Sequence, residues 1–195
     1  TNGDSGPGNS CLTPGAGVGV DSGIRQVAVK NGHVRGMGSH GIVLTNTAGV
    51  ERIVAEHNCG DGVRVGIGAL VIDTIARGNF QDGIEAGSAT VLRNCVANSN
   101  SANGIVGPNG DIMVDGCVAN SNGVDGVSGG TGSGIRGCLT LDNGDDGIEA
   151  LSSAQVIENI ASDNTDAGIT VSINPFLANS ALGLNVANGN NNASS

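Results

Sequence analysis

Apolar and polar positions alternate along this chain in short bursts, and the bursts recur at a fixed interval. A glycine followed by Ile or Val falls at Gly41, Gly62, Gly83, Gly104, Gly126, Gly147 and Gly168, with spacings of 21, 21, 21, 22, 21 and 21 residues. Self-similarity at such a period marks a repeat architecture. Aligned on that glycine, the coils resolve into columns. Ile42, Val63, Ile84, Ile105, Val127, Ile148 and Ile169 form one, and Val50, Val71, Leu92, Val114, Ile135 and Val156 a second. Val54, Ile75, Val96, Val118, Leu139 and Ile160 form a third, followed by Ala55, Ala76, Ala97, Ala119, Thr140 and Ala161. Each coil therefore offers three short β-rich segments closed by Gly, Asn or Asp, which is the spacing of strands and too short for helices. The pattern predicts an all-β solenoid of about 7–8 coils of 21–22 residues, with layers stacked in parallel about 4.8 Å apart. Residues 1–22, rich in Gly, Pro, Ser and Asn, read as a lead-in, extended or loop; residues 23–185 read as the solenoid, and 186–195 as a flexible tail.

Polar positions keep the same period. Asn58, Asn79, Asn100, Asn122, Asn143 and Asn164 stack in one column, where each amide can serve its own turn and the next layer's. Cys95, Cys117 and Cys138 stack in another and read as small, reduced core residues. Strand alternation puts the Cys and Ala columns on one side of the third segment and the Val/Ile column on the other. With Cys and Ala inward, which suits a narrow bend, Val54 to Ile160 become an outward apolar stripe and a candidate association surface. Whether Cys11 and Cys59 pair stays open at the level of sequence.

Composition narrows the picture. With 35 glycines, two Phe and no Trp or Tyr among 195 residues, the core has to be built from small and branched aliphatic side chains. A formal charge of −10 with only 8 Lys and Arg argues against nucleic acid, and equally against an acidic polysaccharide held in a basic groove. No run of 18 apolar residues occurs, so no helical membrane span is expected. The first residue is Thr1 and no secretory leader is visible, which reads as a processed or trimmed product.

The frame "V-x-x-N/C-x-A-x-x-N-x-x-D-G-I", carried by segments such as "VLRNCVANSNSANGI" and "VIENIASDNTDAGI", resembles the right-handed parallel β-helix repeat of the pectate-lyase-like superfamily, in its uncharacterised bacterial secreted type. The resemblance implies a single-stranded right-handed parallel β-helix and a secreted, extracellular, bacterial setting. It says little about activity, since one fold serves many chemistries.

Acidic residues are the candidate chemistry. Asp61, Asp82, Asn103, Asp125 and Asp146 occupy the position before Gly-Ile or Gly-Val, with His40 and Ala167 at the two ends. A short polar residue followed by Gly is the composition of a turn needing a left-handed residue, so these acids read first as turn residues. Asp61, Asp82, Asp125 and Asp146 are the candidate ligands for Ca²⁺, the one ion considered; no other cofactor is expected. Asp145, Asp146 and Glu149 are the catalytic candidates, the Asp pair being similar to the double Asp of polygalacturonase-type hydrolases. The histidine and basic motifs of those hydrolases and the Asp-Pro-His-Glu run of alginate epimerases are absent. Arg64, Glu85 and Glu149 share a column that reads as a solvated face, and His33, His40 and His57 fall in three different columns. The expectation from these absences is a secreted or surface-exposed structural protein that self-associates as a fibre, spacer or matrix component, its partner being itself. The alternatives are a polysaccharide lyase or hydrolase, and a Ca- or glycan-binding adhesion module.

Overall fold

β-Branched residues at the first position of each coil, small residues at the corners and left-handed backbone between the strands together bend the chain into triangular layers. The computed structural model describes Cys11 and residues 15–19, 24–172 and 180–190. Within them every paired strand is parallel, and the fold is the expected right-handed β-helix of about seven turns. No described helix is long and apolar enough to cross a membrane.

The first face is an eight-stranded sheet built from Val18–Gly19, Ile42–Leu44, Val63–Val65, Ile84–Ala86, Ile105–Gly107, Val127–Gly129, Ile148–Ala150 and Ile169–Val171. The second face runs through Leu70–Ile72, Val91–Arg93, Met113–Asp115, Gly134–Arg136, Gln155–Ile157 and Ala181–Gly183. The third runs through Ile75–Arg77, Val96–Asn98, Val118–Asn120, Leu139–Leu141, Ile160–Ser162 and Val186–Asn188. The long strands Ala28–Arg35 and Gly49–Glu56 turn the corner between these two faces unbroken, which joins them into one 14-stranded sheet.

Register follows the columns without slippage: Ile42 pairs Val63, Val63 pairs Ile84, and the series continues to Ile148 with Ile169. The core is the inward half of each face. Ile42, Ile84, Ile105, Ile135 and Leu92 are fully buried, as are Cys95, Ala97 and Ala119. The Cys and Ala columns of the third face therefore point inward, and Cys95, Cys117 and Cys138 are buried free thiols. Val54, Ile75, Val96, Val118 and Leu139 lie on the outer side, half-buried, and Ile160 is 46% exposed.

Two differences from expectation concern the ends. Val186–Asn188 pairs with Ile160–Ser162, so the stack continues past residue 185 and only 191–195 of the expected tail lie outside the described residues. At the other end most of the lead-in also lies outside them, but Val18–Gly19 pairs with the Ile42 strand and Cys11 is disulfide-bonded to Cys59.

Candidate functional site

Each coil changes direction at residues with positive φ. Between the second and third faces these are Arg52, Asp73, Asn94, Gly116, Gly137 and Glu158, with φ from 49° to 63°; after the third face they include His57, Gly78, Ser99, Ser121, Asp142 and Asp163. The Asp-Gly step ahead of the first face is not among them, which corrects the turn reading. Its glycines answer crowding instead: a Cβ on Gly83 would stand 2.5 Å from Gly104 O and 2.6 Å from Asn100 Nδ2. Its acids are a ladder. Asp82 N–H donates to Asp61 Oδ1 at 3.1 Å, Asn103 N–H to Asp82 Oδ1 at 2.9 Å, and Asp146 N–H to Asp125 Oδ1 at 3.1 Å. Asn103, the neutral member, also donates its side-chain amide to Asp82 and accepts from Asp125 N–H, which relieves the repulsion of stacked carboxylates.

Beside this runs the asparagine ladder, of opposite polarity. Each Asn donates its N–H and its Nδ2–H to Oδ1 of the Asn one layer on, as Asn79 does to Asn100 at 3.1 and 2.9 Å, and the chain of bonds runs from Asn58 to Asn190. The members from Asn58 to Asn164 are fully buried, so the ladder satisfies amides that water cannot reach.

At the amino-terminal end the acid ladder meets a histidine and an arginine. His40 occupies the ladder position one layer before Asp61, and its Nδ1 lies 2.9 Å from Asp61 N and 3.0 Å from Asp61 Oδ2. Gly60 makes room for the imidazole, since a Cβ there would stand 2.6 Å from His40 Nδ1. Arg64, in the first-face strand of the Asp61 layer, places Nε 3.0 Å from Asp61 Oδ2 and donates through Nη2 to Glu85 in the next layer. Asp61 is 1% exposed, and its Oδ2 and Arg64 Nε are buried without an aligned hydrogen bond despite the short separation. Arg64 and Glu85, half-buried, border a surface hollow of about 270 Å³ whose rim includes Asn46, Ile67 and Asn109. The column expected to be a solvated face is therefore part of a packed charge cluster, and His40 is not a plain turn residue.

Burial sets the ionisation of this cluster. It pushes the Asp61 carboxyl up to about 7 even though Arg64 pulls the other way, and it raises Asp82 as well. Burial, reinforced by the Arg64 charge, lowers the His40 pKa and favours the neutral imidazole. With Asp61 protonated, His40 Nδ1 accepts the Asp61 N–H. With Asp61 ionised, a proton on Nδ1 would face Oδ2 3.0 Å away, but only after displacing the Asp61 N–H that Nδ1 accepts, and Nε2 would then be left as a base. The arrangement can take up or release a proton near pH 7 next to a fixed guanidinium.

The catalytic candidates from sequence fall elsewhere. Asp145 and Asp146 come together with Asp166 rather than with a base, and Glu149 accepts from Ser128 Oγ at 3.1 Å. Among the described residues no Lys or Arg forms an ion pair with them. The calcium candidates divide: Asp61 and Asp82 group with Glu85, Asp146 groups with Asp145 and Asp166, and Asp125 serves the ladder between them. In the first group Arg64 already supplies the positive charge. The sequence contained one missed signal, that His40 and Arg64 are the nitrogen bases adjoining the acid column, one inside it and one three residues beyond it.

No protein-family model matches the sequence, and no curated protein matches it. Among solved structures, the mannuronan C-5 epimerase AlgE6 A-module of Azotobacter vinelandii superposes with a TM-score of 0.67 at 24% identity, over 75% of this chain and 45% of that one. The AlgE4 A-module of the same organism gives 0.66 at 19% identity, over 85% and 60%. The periplasmic alginate epimerase AlgG gives 0.66 at 14% identity, over 80% and 49%. The chain thus spans about half the length of the structures it matches. These neighbours go against the expectation of a self-associating structural protein, since they are named as epimerases of mannuronan and alginate. The chain is a right-handed parallel β-helix repeat protein.

Proposed function

We propose that the chain modifies a uronate-containing polysaccharide by removing the proton on the ring carbon next to the carboxylate, the step that lyases and epimerases share. The observation that carries this reading is the convergence of His40, Asp61, Arg64 and Glu85, of which Arg64 and Glu85 line the hollow on the first face and His40 and Asp61 stand behind Arg64. Arg64, whose side chain is 41% exposed at the hollow, would exchange its bond to Glu85 for one to the substrate carboxylate and favour the enolate formed as the C–H bond breaks. His40 Nε2, with Nδ1–H held by ionised Asp61, would take the proton. The electron pair then either expels the glycosidic oxygen at the neighbouring carbon or takes a proton back on the other face.

Net charge does not oppose this location. Seven of the eight Lys and Arg precede residue 94, while residues 94–172 hold ten Asp and Glu against Arg136 alone. Residues 1–93 set eight Asp and Glu against those seven cations, so a polyanion is repelled by the far end of the rod and meets a nearly neutral surface at the end that carries His40. An extracellular or periplasmic setting is supported by the Cys11–Cys59 disulfide, which persists in oxidising compartments.

The test is incubation with polymannuronate, alginate and polygalacturonate in deuterated water, read by proton NMR for exchange at the carbon next to the carboxylate and by ultraviolet absorbance for an unsaturated product. Turnover should rise with pH through about 7, following Asp61. Asp61→Asn should flatten that limb, and Arg64→Ala should lower kcat/KM by about 10²-fold or more. Absence of exchange and of unsaturated product on every uronan would overturn the reading.

A further inference from the structure

The second face carries an outward column that reads Leu70, Val91, Met113, Gly134 and Gln155 in successive layers. Gly134 opens the strand Gly134–Arg136, and nothing local requires a glycine there. Its φ is not in the left-handed region, and its N–H donates to Ile112 O at 2.9 Å as any residue's would. A Cβ added at Gly134 would meet no heavy atom within 4 Å, in contrast to the crowded glycines ahead of the first face. A glycine inside a strand weakens it, and where no bend or crowding explains the residue it marks a place that something else approaches closely.

The missing side chain leaves a furrow between the Met113 and Gln155 layers. A hollow of about 360 Å³ extends from Gly134 toward Thr90, Asp111 and Ser133, and a second of about 160 Å³ extends toward Asp115 and Arg136. Both are lined by Met113, Gly134 and Gln155, so Gly134 is where they join. The larger is within the usual range of small-ligand sites, about 300–1,000 Å³.

We propose that this furrow binds a ring of a neutral pyranoside, at a site separate from the His40 cluster and independent of its chemistry. Met113, 51% exposed, offers a polarisable apolar wall for the C–H face of a sugar in a chain that has no Trp or Tyr for the purpose. The Gly134 backbone is the floor that lets the ring approach. Asp111 and Gln155 supply acceptors and an amide donor for hydroxyl groups at the rim. The charge around the furrow selects a neutral sugar. Asp115 is paired with Arg136 at 3.1 Å and with Arg93 at 3.4 Å, so the charge left in the furrow is that of Asp111, which forms no ion pair among the described residues and would repel a uronate.

The experiment is calorimetric and NMR titration of the full chain with neutral gluco-, manno- and galacto-oligosaccharides, with a mannuronate oligosaccharide as the charged comparator. At least one neutral series should bind and shift the amide resonances of residues 112–115 and 134–136. Gly134→Leu, which fills the furrow, should weaken that binding by tenfold or more without lowering the melting temperature, and Gly134→Ala should weaken it less. His40→Ala should leave it unchanged, which separates this site from the proposed catalytic one. The proposal is overturned if no neutral oligosaccharide binds, if only the mannuronate binds, or if both Gly134 variants bind as the wild type does.

Discussion

A single added methyl group separates two kinds of glycine in this protein. At Gly83 a Cβ would enter the carbonyl of Gly104 and the amide of Asn100 in the adjoining layer. The carbonyl belongs to the stacked backbone and the amide to the buried asparagine ladder, so neither can give way without opening the stack. Gly83→Ala is therefore expected to cost about 2–4 kcal/mol, seen as a lower urea midpoint, whereas Gly134→Ala should be neutral or stabilising. The buried acids make a second prediction at this scale. Burial raises Asp61 and Asp125 to about 7 and raises Asp82. A carboxyl whose folded pKa stands above its unfolded value binds its proton more tightly when folded. Its contribution is therefore full below the unfolded value near 4 and is lost as pH rises through about 7. These three acids should make the fold more stable at pH 5 than at pH 8. Asp125→Asn keeps an acceptor for Asp146 N–H and has no charge to bury, so it should raise the melting temperature at pH 8 and not at pH 5. An equal change at both values would show that the carboxyl is not the source.

The strand triplets are too short to be stable alone, and the side-chain ladders between them supply the cohesion of the corners. Removing the Asn100 side chain withdraws the acceptor of two Asn79 donors, along with its own bonds to Ala76 O and Asn122 Oδ1. Because those partners are buried, Asn100→Ala should cost about 3 kcal/mol or more. Asn103→Ala, in the half-buried acid ladder, should cost clearly less, and denaturant midpoints of the two variants give the comparison. The same elements show how far the sequence could be read. The period fixed which residues follow one another up a column, because one repeat is one layer and in-register strands stack like on like. It did not fix what meets across columns. His40, Asp61, Arg64 and Glu85 belong to two columns and three layers, and only the corner geometry brings His40 and Arg64 each to 3.0 Å from Asp61 and joins Arg64 to Glu85. Reading by local density of acids pointed to Asp145, Asp146 and Glu149, which meet further carboxylates and a serine instead of a base.

Over the whole molecule, one covalent bond ties the amino-terminal segment to the stack. Cys11 and Cys59 are 48 residues apart, and Cys59 is two residues before Asp61. Reduction should destabilise the fold by about 2–4 kcal/mol, as cross-links closing loops of this size do. Mild reduction should expose two reactive thiols, while Cys95, Cys117 and Cys138, buried in the core, should react only after denaturation. A thiol titration in native and denaturing buffer checks both statements. Charge is also distributed at this scale: seven of the eight cations precede residue 94, while the acids are spread evenly, eight before it and ten after, so salt should relieve the repulsion of a uronan more at the far end than at the His40 end.

The sequence by itself determined the period, the three strands per layer, the aliphatic columns and the asparagine column, because each is a local choice repeated often enough to be read against itself. Only the tertiary structure decided that the glycines ahead of the first face answer crowding, that an acid ladder ends in a histidine and an arginine, and that Gly134 leaves a furrow. Each of these depends on what lies across a layer or beyond a corner, and a one-dimensional repeat specifies neighbours along its axis far more tightly than neighbours around it.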